Sequence, residues 1–152
     1  MSVRIVECVP NFSEGRNQQI IDAISSAGRG IDGARVLGIE PDADYNRTVL
    51  TIAGEPDAVS NAAFEVIKAS LEHIDMTTHE GEHPRIGAVD VCPFVPLEGV
   101  TMDECADLSR ELAIRVSSEL GIPTFLYGAA ATSPDRELLS DLRKGQYEGF
   151  KQ

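Results

Sequence analysis

Apolar residues recur along the chain in two rhythms, and each rhythm predicts an element. Val3 to Val9 is a short run rich in Val and Ile that stops at Pro10-Asn11, as a strand entering a loop does. Ile20, Ile21, Ile24 and Ala27 follow at helical spacing, with Asn17 placed to cap the first turn and Gly28 to end the last. Arg35 to Ile39 and Arg47 to Ala53 predict two strands. In the second, Val49, Thr51 and Ala53 alternate with Thr48, Leu50 and Ile52. Ala58, Ala62, Val66 and Ile74, flanked by Val59, Ala63, Ile67 and Leu71, form an apolar stripe with a period of about 3.6, a long helix. Ile86 to Val95 predicts a buried strand. Thr101 with Glu104 is a capping box that opens a helix striped by Cys105, Leu108, Leu112, Val116 and Leu120 and closed by Gly121. Pro123 to Tyr127 predicts a further strand, and Ser133, Pro134 and Glu137 open a last short helix with Gly145 near its end.

The predicted order is β-α-β-β-α-β, then α-β-α. The first six elements match the split βαβ, or ferredoxin-like, plan. The expectation is an α+β fold: a mixed, mostly antiparallel sheet with helices on one face, and an αβα extension whose strand adds to a sheet edge. With no repeat, linker or low-complexity stretch, the 152 residues read as one domain.

Charge narrows the partners. There are 13 Lys and Arg against 25 Asp and Glu, for a net charge of −12 and no basic cluster. Such a surface is ill suited to nucleic acid, whose phosphates need local neutralisation. No apolar run reaches the roughly 18 residues of a membrane span, and the first ten residues lack the apolar core of a signal peptide. Cys8, Cys92 and Cys105 are odd in number and lack metal-type spacing. Reduced thiols and a cytoplasmic location are the expectation.

Three motifs imitate chemistry. Gly28 to Gly33 spells G-x-G-x-x-G, but it follows a predicted helix and precedes a strand, the reverse of a dinucleotide turn. Asp42, Asp44 and Asn46 open like a calcium loop, yet Arg47 and Ala53 stand where a Gly and a bidentate Glu belong. His79 and His83 are four apart, but Gly81 and Pro84 oppose the helix that would put both rings on one metal. No metal is expected. His73 reads as a surface residue on the central helix.

The densest functional chemistry is His-Glu-Gly-Glu-His-Pro-Arg, His79 to Arg85, in the connection from the long helix to a strand. Loops held by rigid elements carry catalytic groups disproportionately. Histidine titrates near neutral pH and suits proton transfer. Glu80 or Glu82 can orient the ring, and the planar forks of Arg85 and Arg47 suit carboxylates. A plain polar connection fits the composition equally well.

Three stretches together resemble a known family: Glu7-Cys8-Val9-Pro10-Asn11-Phe12-Ser13-Glu14-Gly15-Arg16, Asn46-Arg47-Thr48-Val49, and Gly81-Glu82-His83-Pro84-Arg85-Ile86-Gly87-Ala88-Val89-Asp90-Val91. They are similar to the N-terminal part of the glutamate formimidoyltransferases (formiminotransferases), including the transferase part of formiminotransferase-cyclodeaminase. The similarity runs from about Val3 to Phe150 and includes Tyr127-Gly128 and Gln146-Tyr147-Glu148-Gly149. The resemblance implies transfer of a formimino group from N-formimino-L-glutamate to N5 of tetrahydrofolate, a co-substrate, in histidine degradation. It places the catalytic general base and acid on His83 rather than His79. It also implies two ferredoxin-like subdomains with folate in the cleft between them, and a homodimer.

Arg47 and Arg85 are then the candidate substrate-binding cations. Asn11, Ser13 and Glu82 are candidate partners by hydrogen bonding. Glu40 stands where relatives often carry an Asp before the Asn-Arg-Thr stretch. The 152 residues correspond to the first subdomain alone, so a C-terminal subdomain on a separate chain, or self-association, is expected to complete the cleft. A non-catalytic folate-binding or regulatory module of the same fold, and formyl transfer from formylglutamate, are the alternatives.

Overall fold

A computed structural model describes residues 3–81 and 87–131. Five strands and two helices precede residue 92: β1 (Ile5–Cys8), β2 (Asn11–Phe12), α1 (Gln18–Ala27), β3 (Ala34–Asp42), β4 (Arg47–Gly54), α2 (Pro56–His73) and β5 (Val89–Val91). They are followed by β6 (Phe94–Glu98) and α3 (Met102–Leu120), with single 3-10 turns at Met76–Thr78 and Gly128–Ala130. The fold is α+β.

β4 organises the sheet. Along one flank it pairs with β3 from Gly54 opposite Ala34 to Arg47 opposite Asp42, with a bulge that leaves Leu37 unpaired. Along the other flank β1 and β2 lie end to end in one register, Cys8 facing Ile52 and Asn11 facing Val49. The break between them falls at Pro10, which has no N–H to give, although its carbonyl still accepts from Leu50 N at 3.0 Å. Beyond this pair, β6 lies against β1 and β5 against β2, again end to end, interrupted at Cys92-Pro93. Six strands thus make four ribbons.

Two differences from expectation follow. The strand predicted over Ile86 to Val95 is two strands, parted at Cys92-Pro93, where Pro93 has no N–H for a ladder; Ile86 lies outside the described residues. The sheet is not mixed: every pairing among the described residues is antiparallel.

Alternation sets the two faces. Val6, Cys8 and Phe12 join Thr48, Leu50 and Ile52, all fully buried, beneath the helices. Glu7, Val9, Val49, Thr51 and Ala53 line the opposite, half-covered face. The three helices pack on the buried side, with α2 touching β1, β3, β4 and both other helices. Their ends follow the sequence signals. The Asn17 side chain accepts from Ile20 N and that of Thr101 from Glu104 N, while Gly121 takes a left-handed φ of 69°. On the predicted stripe of α2, Leu71 is the departure, 36% exposed. No described helix is long and apolar enough to cross a membrane.

The Gly28 to Gly33 stretch is a helix-to-strand turn, and Asp42 to Asn46 is the β3–β4 turn, where Asp42 Oδ1 accepts from Tyr45 N at 3.0 Å. The predicted strand at Pro123 to Tyr127 is absent: this stretch has irregular backbone. Phe125, Leu126 and Tyr127 are consecutively half-buried and line one cavity with Ala113 and Val116 of α3, so the alternation that a sheet edge requires is lost. The helix predicted from Ser133 lies outside the described residues.

The core position of Ile52 yields a first prediction. Ile52→Ala should lower unfolding free energy by about 2–5 kcal/mol in urea titration. Leu37→Ala, at the bulge and 65% exposed, should change it by less than about 0.5 kcal/mol.

Candidate functional site

One corner of the sheet, where the β3–β4 turn meets the segments after β2 and before β5, gathers buried polar side chains. Asn46 is its centre. Its φ is +53°, a left-handed conformation that Asn tolerates better than most residues, and it is 8% exposed. Its Oδ1 accepts from Gly15 N at 2.9 Å, and its Nδ2 donates to Glu80 O at 2.9 Å. The Asn46 carbonyl lies 3.0 Å from His79 Nε2, which therefore carries its hydrogen toward that oxygen. One turn residue thus ties down chain that precedes α1 and chain that follows α2.

Two glycines make the approach possible. A Cβ on Gly15 would sit 2.2 Å from the Asp42 carbonyl, and one on Gly81 would sit 2.2 Å from the Tyr45 carbonyl. No side chain fits at either place.

Further bonds close the corner. Ser13, 2% exposed, donates from Oγ to Gly87 O at 2.7 Å and from its backbone N to Ala88 O at 2.8 Å. Thr48 Oγ1 donates to Glu14 O at 2.6 Å. Asn11 donates to Val9 O at 3.0 Å, and its Oδ1 accepts from Arg47 at 3.2 Å. The Arg47 guanidinium lies 5.3 Å from the centre of the Tyr45 ring, within cation–π range. Asn11, Phe12, Ser13, Tyr45, Asn46, Arg47, His79 and Asp90 surround a cavity of about 10 Å³, room for roughly one water.

Of the site residues expected from sequence, Asn11, Ser13 and Arg47 are therefore brought together. Glu40 is not in this group. It is exposed on the edge strand β3, opposite Val49, which separates it from Asn11 along the row Glu40, Val49, Asn11, Val91. Two strand spacings, about 10 Å, divide its backbone from that of Asn11. Glu82, His83 and Arg85 lie outside the described residues. Among the described residues, no group of three or more His, Cys, Asp or Glu side chains converges as a metal site would.

Sequence reasoning missed Asn46 as the anchor, and Tyr45 and Asp90 as neighbours. It weighed His79 only as a metal ligand or a lesser histidine. The available signal was an Asn at the end of a hairpin turn, with isolated glycines in the two loops that must reach it.

The anchor yields a prediction. Asn46→Ala removes both side-chain bonds and strains a left-handed backbone, and should cost about 2–4 kcal/mol. Asn46→Gly keeps the backbone and should cost less, yet both should abolish hydrogen-exchange protection of the Gly15 amide, read by NMR.

Sequence comparison identifies the family of the chain. Residues 5–152 match the family model described as the formiminotransferase domain, N-terminal subdomain. The glutamate formimidoyltransferase of Streptococcus pyogenes serotype M1 is 50% identical over 147 residues, 97% of this chain and 49% of the relative. That of Thermoplasma acidophilum is 47% identical over 150 residues, 97% of this chain and 50% of the relative. The formimidoyltransferase-cyclodeaminase of Dictyostelium discoideum is 52% identical over 149 residues, 98% of this chain and 28% of the relative. The chain thus spans about half the length of these transferases and about a quarter of the bifunctional protein. The stretches that meet at Asn46 fall within the matched residues, and the chain belongs to the formiminotransferase N-terminal subdomain family.

Proposed function

We propose that this chain supplies half of a site that moves a formimino group from N-formimino-L-glutamate to N5 of tetrahydrofolate, with His83 carrying the proton. The observation that supports this reading most directly is the meeting of three separated stretches at one corner. Gly15 and Glu80 bond the same side chain, and Ser13 bonds Gly87 and Ala88. The residues on either side of the Glu82-His83-Pro84-Arg85 stretch are thereby anchored to the segment that follows Asn11 and Phe12 and to the turn that precedes Arg47.

The chemistry asks for one proton carrier. The N5 amine attacks the formimino carbon, a tetrahedral centre forms, and the glutamate nitrogen leaves. An imidazole that takes the N5 proton and returns it to the departing nitrogen serves both halves of the reaction, worth about two to four orders of magnitude. Both substrates carry carboxylates, which a net charge of −12 repels. Local cations override that field within about 10 Å, and Arg47 and Arg85 are the proposed ones. Glu82 orients the imidazole, and Asn11 and Ser13 hold the binding surface. Glu40, from the edge strand, contacts substrate only from the periphery of the site.

The rest of the cleft belongs to a second subdomain of the kind that completes the relatives' length, and the working protein is a cytoplasmic homodimer. The ribbon order β3, β4, β1, β6, with α1 and α2 crossing over the same face, supports a split βαβ, ferredoxin-like topology for this half.

The test is turnover of formiminoglutamate with tetrahydrofolate by the chain mixed with the separately expressed C-terminal half of the streptococcal relative. His83→Ala should lose about two to four orders of magnitude in kcat with its circular dichroism unchanged, and His79→Ala less than about tenfold. Equal losses would misplace the proton carrier. Saturable folate binding without turnover would favour a non-catalytic module, and turnover with formylglutamate alone a formyl transferase.

A further inference from the structure

Cys8 and Cys92 are 84 positions apart in sequence, yet their Sγ atoms stand 3.5 Å apart. The sheet brings them together. Cys8 pairs with Phe94 across β1 and β6, and Val9 N donates to Pro93 O at 3.0 Å. Cys92 is the next residue along, at the break between β5 and β6. A disulfide has an S–S length of about 2.05 Å, so closure asks the sulfurs, now 3.5 Å apart, to approach by about 1.5 Å.

We propose that Cys8 and Cys92 are an oxidisable pair, closed to an intramolecular disulfide by a hydroperoxide and reopened by a dithiol reductant. Their exposures assign the two roles. Cys8 is fully buried, so an oxidant does not reach it first, and it serves as the resolving partner 3.5 Å away. Cys92 is half-buried and borders the apolar cavity lined by Leu71, Phe94 and Leu112, so it meets the oxidant first. Its sulfur attacks the peroxide O–O bond, becoming a sulfenic acid and releasing an alcohol, or water from hydrogen peroxide. The Cys8 sulfur then attacks that sulfur. The S–S bond forms, the S–O bond breaks, and the hydroxyl leaves as water with the Cys8 proton. Two thiols are oxidised and one peroxide is reduced.

The pair adjoins the polar corner, because Val91, next to Cys92, faces Asn11. The oxidised state therefore places a covalent tie one residue from the strand pairing that carries Asn11.

The experiment treats the full chain with hydrogen peroxide and counts thiols in denaturant. The expected count falls from three to one, returns to three with dithiothreitol, and peptide mapping joins the Cys8 peptide to the Cys92 peptide within one chain. Cys105→Ser should still form that link, whereas Cys92→Ser should keep both remaining thiols. Three free thiols after peroxide, a bridge to Cys105, links only between chains, or Cys92 oxidised to the sulfinic acid with Cys8 untouched would each overturn the proposal.

Discussion

A single carboxamide at the end of a hairpin turn bonds two loops at once, one before α1 and one after α2. Asn46 offers one acceptor and two donors, and it spends them on Gly15 N and Glu80 O, backbone groups of two loops with no strand partner. A buried backbone donor or acceptor without a partner costs as much as a lost hydrogen bond, so each loop is secured where it reaches the turn. The left-handed backbone at Asn46 is what aims the amide between the loops. Gly15 and Gly81 then pack so closely on the turn that a methyl group at either would strike a carbonyl oxygen.

The breaks in the sheet matter for the same reason. Pro10 interrupts one ribbon and Cys92-Pro93 the ribbon beside it, at adjoining levels. Yet the register across β4 continues unchanged, so the face beneath the helices stays continuous from Val6 to Phe12. The cost of two missing ladder donors falls at one end of the sheet. There, the short strands β2 and β5 turn Asn11 and Asp90 toward the loops instead of extending a regular edge. Stability rests in the long pairing of β3 with β4 and in the helix-covered core, while polar side chains occupy the end with the shortest strands.

Helix ends were readable from sequence because caps are local: Asn17, Thr101 and Gly121 each act within one turn of their own helix. β4 was readable because its two faces differ consistently in polarity. The split of β5 from β6 had a local signal in Pro93, which has no N–H for a ladder, but the alternation of apolar residues around it masked the break. Pro123 to Tyr127 has strand-forming side chains, but its burial is set by α3, not by a sheet edge. The same division holds at the site. Asn11, Ser13 and Arg47 could be picked out as residues suited to binding, but their meeting follows from the pairing of Asn11 with Val49, which no local pattern encodes. Glu40, which stands before the Asn-Arg-Thr stretch in sequence, is set on the edge strand by the antiparallel register, two strands from Asn11.

Arg47 shows why the type of cation matters. A half-buried guanidinium loses part of its hydration, and here Asn11 Oδ1 and the face of Tyr45 replace some of it. A lysine ammonium, more strongly hydrated and without a planar face to stack, would gain less from the same neighbours. The guanidinium is a planar fork of five N–H donors, and the bond to Asn11 helps to fix its orientation. In a chain of net charge −12, a fixed cation beside the anchored loops offers anionic groups a local attraction that the protein's overall field does not. The surroundings of this guanidinium therefore depend on the register that sets Arg47 beside Asn11 more than on the total charge of the protein.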